Sequence, residues 1–233
     1  MPTIAELVRV GFSPKQAQLI CDPNGGWSPP SLFETTAWAY ASATTITVPT
    51  DATTYYQVGD RVRFKQGGGY KYGVLVLVAA TLLTIWGGTD YTVANAAITD
   101  YEISREVSPV GFPAQFNYTP TFTGFSVDPT NFISRGRVDG NYMSLDFKAA
   151  TSGTSNATTC TLTAPIASKN LTNAEWAALM FDTVDNTTVL GIPGVAVIAP
   201  NTTTINCYPT TARGLWTALN NKRMGFSNLR YEI

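Results

Sequence analysis

The chain has 233 residues, of which 44% are hydrophobic and 13% charged; 15 Lys and Arg stand against 16 Asp and Glu, there is no His, and the formal net charge is −1. The hydrophobic share excludes disorder, and the near-neutral balance provides no long-range field to gather phosphate backbones, so duplex nucleic acid is not expected as a partner. The absence of histidine removes the commonest general base, and with it Ser-His-Asp and Cys-His nucleophilic mechanisms.

The charged fraction is about half of the roughly 25% usual in soluble globular chains. Thr, Asn, Ser and Gly must carry solubility instead, as in TSGTSNATT (residues 151–159), and Thr also suits strands. Residues 3–10 place Ile4, Leu7 and Val8 at helical spacing with Gly11 as a stop, and a second short helix follows with Ser13 as N-cap and Pro14 at its first position. Helices this short are marginal alone and need another surface over their apolar side. The opening residues lack a basic segment followed by a continuous apolar run, so a secretory signal is not expected and synthesis in a cytoplasm is. PNGGWSPP (residues 23–30) has the composition of a linker, with Trp27 as a staple onto a neighbouring domain.

From residue 35 onward, short strands alternate with turns. In residues 61–65, Val62 and Phe64 face one side and Arg61, Arg63 and Lys65 the other, and Gly67, Gly68 and Gly69 turn the chain. Residues 72–78 and 82–86 form a further pair, and a small barrel or sandwich is expected. The apolar run at 74–86 is too short and too interrupted for a membrane helix, so no membrane insertion is expected. SPVGFP (residues 108–113) marks a boundary.

Beyond the boundary, Asp139-Gly140 predicts a type I′ hairpin joining 132–138 to 142–148, with Met143, Leu145 and Phe147 on one face. Strands are expected at 158–163, 189–198, 203–208 and 224–233. Thr172 and Glu175 form a capping-box pattern ahead of 176–181, which reads equally as two helical turns or as strand. Three cysteines cannot all pair with one another. Cys160 alternates in phase with Leu162, and Cys207 with Ile205, as small core residues do.

The sequence supplies few candidates for chemistry. GFS occurs at Gly11, Gly124 and Gly225 without the second Gly of a nucleophile elbow, and the glycines at 67–69 match no phosphate loop. Asp182, Asp185 and Asn186 lack calcium-loop spacing. A carboxylate-pair glycosidase, with candidates among Glu175, Asp182 and Asp185, survives the loss of histidine as a distant alternative. Arg61, Arg63, Lys65 and Lys71, with Tyr70 and Tyr72 between them, either grip an acidic or polar partner or form an ordinary exposed strand face. Trp38, Tyr55, Tyr56 and Tyr118 either stack on sugar rings or belong to cores. No catalytic residue, metal or cofactor is expected.

Particular strings add a resemblance. FNYTPTFTG (residues 116–124), the hairpin at 134–147, SGTSNATTCTLTAP (152–165) and the closing NLRYEI (228–233) resemble a C-terminal β-sandwich module of tail fibres and other surface proteins of tailed bacteriophages. VGDRVRFKQ (58–66) with IWGGTDYTVANAAI (85–98) resembles a small β domain of phage structural proteins, and LVRVGFSPKQAQLI (7–20) the attachment segment of decoration or head-fibre proteins. The resemblance implies a mainly β chain: a helical attachment segment at 1–22, a linker at 23–34, a small β-barrel or sandwich domain at 35–110 and a jelly-roll-like antiparallel β-sandwich at 111–233. It implies homotrimeric assembly at the virion surface, on tail or head. Ile4, Leu7, Val8, Phe12 and Ile20 would dock on other virion proteins, Arg61, Arg63 and Lys65 would meet an acidic partner face, and the second β domain would face a host glycan or protein. The role expected is non-enzymatic host-receptor binding; a capsid decoration (cement) or head-fibre protein is the alternative, and a polysaccharide-degrading tailspike-type enzyme the distant one.

Overall fold

The fold was obtained as a computed structural model. The structure describes residues 9–11, 25–29, 37–172, 175–218 and 221–233. The expected attachment residues Ile4, Leu7, Val8, Phe12 and Ile20, and Cys21, lie outside the described residues. The described chain is mainly β and forms two compact units. The first holds the described residues up to Gly87 together with Tyr91–Ala114, and the second holds Gly88–Asp90 and the described residues of Gln115–Ile233.

The first unit is one curled antiparallel sheet of β1 (Ala39–Ser42), β2 (Thr45–Thr47), β3 (Arg61–Gln66), β4 (Gly69–Ala79), β5 (Leu82–Trp86) and β6 (Thr99–Ser104), in the order β1-β2-β5-β4-β3-β6. Period-two alternation in β3 sends Val62 and Phe64 inward, where they meet Trp38, Ile46, Tyr56, Leu75, Leu83 and Ile103. Gln66 shares their phase and is buried, because its amide is satisfied by the backbone of Ala94 and Ala96. Trp38 and Tyr56 are core residues, with Trp38 stacked on Tyr101 at 4.7 Å between ring centroids. Of the stretch expected to be a linker, residues 25–29 are described: Ser28 pairs with Ile103, and Trp27 is buried.

The second unit comprises β7 (Phe116–Asn117), β8 (Phe122–Thr123), β9 (Phe125–Val127), β10 (Thr130–Asp139), β11 (Tyr142–Thr151), β12 (Gly153–Ser155), β13 (Cys160–Thr163), β14 (Trp176–Asp185), β15 (Thr188–Val189), β16 (Gly194–Ile198), β17 (Thr204–Tyr208) and β18 (Asn221–Glu232). Its main path runs β7-β10-β11-β18-β14-β16-β17-β13-β8, with β12 on β18 and β9, and β15 on β14. The inward row of β11 (Met143, Leu145, Phe147) packs with Met224, Phe226, Leu229 and Tyr231 of β18. Phe226 and Leu229 both face inward across three residue steps because the ladder shifts register between Leu145 and Phe147, and Asn228, at φ +55°, donates its N–H to Asp146 Oδ1.

One open alternative is decided and one local expectation is corrected. Residues 176–181 lie in strand β14 and not in helical turns, since Ala177, Ala178, Leu179 and Met180 all pair across to β16. In the β10–β11 hairpin only Gly140 has positive φ (+60°) and Asn141 does not, which is the II′ pattern, not I′. The I′ pattern, positive φ at both central residues, occurs instead at Asn186 and Thr187 between the paired Asp185 and Thr188. Among the described residues no helix is long and apolar enough to cross a membrane.

Candidate recognition surfaces

Strand alternation aligns cations and aromatic rings on the outer face of β3 in the first unit. Arg63 lies across from Tyr72 and Glu102, and Lys65 across from Tyr70. The Arg63 guanidinium sits 4.6 Å from the Trp27 ring and 5.0 Å from the Tyr70 ring, and it pairs with Glu102. Lys65 Nζ lies 4.9 Å from Tyr70 and 2.7 Å from Asp100. Tyr72 continues the stack to Trp27, Tyr91 and Phe112, and Trp27 donates its indole N–H to Val110 O at 2.8 Å. Arg61 turns inward: it is 4% exposed and donates to Gly59 O. The expected row of three exposed cations is therefore one buried arginine, one arginine held between rings and a carboxylate, and one lysine at the edge. Of these residues, Lys65 and Tyr70 remain partly exposed.

The first unit also has an open cleft of about 330 Å³ lined by Ser28, Tyr55, Ser104 and Arg105. Asp60 is buried near Arg105, and burial holds its carboxyl above the ordinary carboxylate range, opposed by the Gln57 N–H it accepts and by Arg105.

The second unit presents a wider polar surface, on the solvent face of β7, β10, β11 and β18. Arg135 lies between Asn117 and Asp146, and Ser144 between Arg137 and Arg230. Asn117 donates its amide to Asp90 Oδ1 at 2.9 Å and its backbone N–H to Asp90 Oδ2 at 2.7 Å, while its Oδ1 accepts from Arg135 Nε at 3.3 Å. Asp146 accepts from Gln115 Nε2 at 3.0 Å as well as from Asn228. Arg230 caps the Tyr142 ring at 4.3 Å. Mutual bonding fixes these side chains in place, so binding a polar ligand would cost them little rotamer entropy. The sequence pattern predicted the hairpin that carries them. It gave no signal for the site, because each residue looks like an ordinary outward polar position until the neighbouring strands are known.

Farther along the same face, Phe181, Gly225, Lys148 and Ile133 lie in one cross-strand row, with the Phe181 ring over Gly225. Ile133 is 54%, Phe181 43% and neighbouring Leu179 62% exposed. The carboxylates that might have formed a glycosidase pair are each matched to a separate cation: Glu175 to Arg213, Asp182 to Arg223, and Asp185 to Lys222. Tyr118, expected on the surface or in a core, is buried, and burial pushes its phenol up to about 12. Among the described residues, no three Cys, Asp or Glu side chains gather as a metal site would require.

No protein-family model matches the chain, and no curated protein does.

Proposed function

We propose that this chain is a non-enzymatic structural protein of a tailed-bacteriophage virion, a fibre-like surface module acting in host-receptor binding, with a jelly-roll-like second domain facing the host. The residue strings that resemble phage fibre modules support the virion setting. The observation that carries the recognition role is the pre-ordered polar face of Asn117, Arg135, Asp146, Arg230 and Tyr142. It offers fixed donors and acceptors beside one aromatic ring, the chemistry that suits a glycan or another polar receptor surface.

Adsorption competition tests the reading. Purified full-length protein added to host cells should reduce phage adsorption, and Arg135→Ala combined with Arg230→Ala should lose that effect while retaining the wild-type circular dichroism spectrum. A wild-type protein that neither binds cells nor competes overturns it.

The apolar row of Ile133, Leu179 and Phe181 favours a second reading, a decoration or head-fibre protein that packs against the capsid. Antibody labelling of particles separates the two: label on the tail supports adsorption, and label on the head supports decoration.

A further inference from the structure

Lys222 is fully buried, at 0% exposure, in phase with the inward Met224 and Phe226 of β18. Its Cα lies directly across from that of Asp185 on β14. Its Nζ approaches Asp185 Oδ1 to 2.5 Å, yet the two atoms do not meet along hydrogen-bond directions, and among the described residues neither has a hydrogen-bond partner. The second carboxyl oxygen, Oδ2, accepts both the backbone N–H of Thr217 at 3.1 Å and its hydroxyl at 3.2 Å. The Trp216 ring, itself buried, has its centroid 6.0 Å from the amine.

An ion pair in such surroundings surrenders hydration on both partners and recovers it only with good hydrogen-bond geometry, which this contact lacks. The same arrangement supplies what addition of an amine to a carboxyl group requires. The reactants are held together with little freedom left to lose, water is excluded from the nitrogen, and two donors converge on the oxygen that would carry the developing charge.

We propose that Lys222 and Asp185 join in an intramolecular isopeptide bond. One proton passes from the ammonium group to Oδ1, leaving a neutral amine facing a neutral carboxyl group. The nitrogen lone pair adds to Cγ and forms the Nζ–Cγ bond, while Thr217 holds the charge gathering on Oδ2. A second nitrogen proton moves to Oδ1, the Cγ–Oδ1 bond breaks, and one water departs through the side of Asp185 that remains 13% exposed. The product is a neutral amide that retains one hydrogen on Nζ, and no oxidant or cofactor enters the balance. It links β14 to β18 covalently and stands independently of the recognition role.

Intact-mass spectrometry of the denatured full-length protein tests this directly. The wild type should weigh less than its sequence by one water, and fragmentation should place the link between the peptides containing Lys222 and Asp185. Lys222→Arg should have the full mass of its sequence, and so should Asp185→Asn, whose amide cannot take the ammonium proton. Asp185→Asn keeps the test decisive if Lys222→Arg fails to fold. A wild type at full sequence mass overturns the proposal, as does a water loss that maps to Asp139-Gly140, where succinimide formation would also remove one water.

Discussion

Cys160 and Cys207 face each other in register across β13 and β17, both buried. Burial pushes the Cys160 thiol from 9.0 up to about 12, and it pushes Cys207 higher still. A thiol ionises less readily here than in the unfolded chain. Its contribution to stability is therefore fully present below pH 9.0 and declines as pH rises from there towards about 12. Denaturant titrations at pH 7, 9 and 10 should show the midpoint falling only above pH 9. At pH 7 the peptides carrying Cys160 and Cys207 should remain unlabelled by a thiol reagent until the protein unfolds. Phe147 belongs to the same interior: its ring lies 5.8 Å from Phe122, 5.9 Å from Phe132 and 5.8 Å from Phe226. Phe147→Ala should cost about 3–5 kcal/mol in chemical denaturation, because a fully buried ring bounded on several sides leaves a cavity that β strands cannot easily close.

At the scale of single elements, two glycines separate backbone conformation from packing. Gly140 has φ +60° and open space where a Cβ would stand, so Gly140→Ala should cost about 1–3 kcal/mol, the backbone penalty of an L-residue at the first central position of a II′ turn. Gly124 has φ +89°, and there a Cβ would overlap the Thr159 carbonyl oxygen. Gly124→Ala should cost at least about 2 kcal/mol more, measured in the same denaturant series, because backbone must shift to make room. The contrast also marks what the sequence reveals. Alternation placed Val62, Phe64, Met143, Leu145 and Phe147 on core faces, and each is buried. Strands β4, β5, β10 and β11 fall where turn residues bracket apolar runs. Alternation does not report what lies over a face: Arg61 is covered, and Asn117, Arg135 and Asp146 converge only after strands distant in sequence pair. Lys222 lies outside the strand expected at 224–233 and carried no inward signal there, and Asp185 reaches it only once β14 continues past the register shift between Phe181 and Val184. Residues 176–181 were ambiguous because short apolar runs satisfy both periodicities, and pairing with β16 decided between them.

For the whole molecule, Ile133, Leu179 and Phe181 form an exposed apolar surface that association would cover. They share the outward face of one sheet, and apolar groups gathered on a folded surface favour association with another surface. A chain with net charge −1 meets little long-range repulsion from its own copies, and the phage resemblance implies a homotrimer. On the fibre reading, a second and third copy are therefore the expected occupants. Light scattering of the purified full-length protein at micromolar concentration should return about three times the 25.1 kDa chain mass. Leu179→Asp with Phe181→Asp should return the single-chain mass, since a carboxylate placed at each position would have to be buried unpaired on assembly. Both side chains are exposed in the isolated chain, so the substitution leaves its core intact and the circular dichroism spectrum should not change. A wild type at the single-chain mass would rule out a stable trimer and leave the apolar row to a different protein.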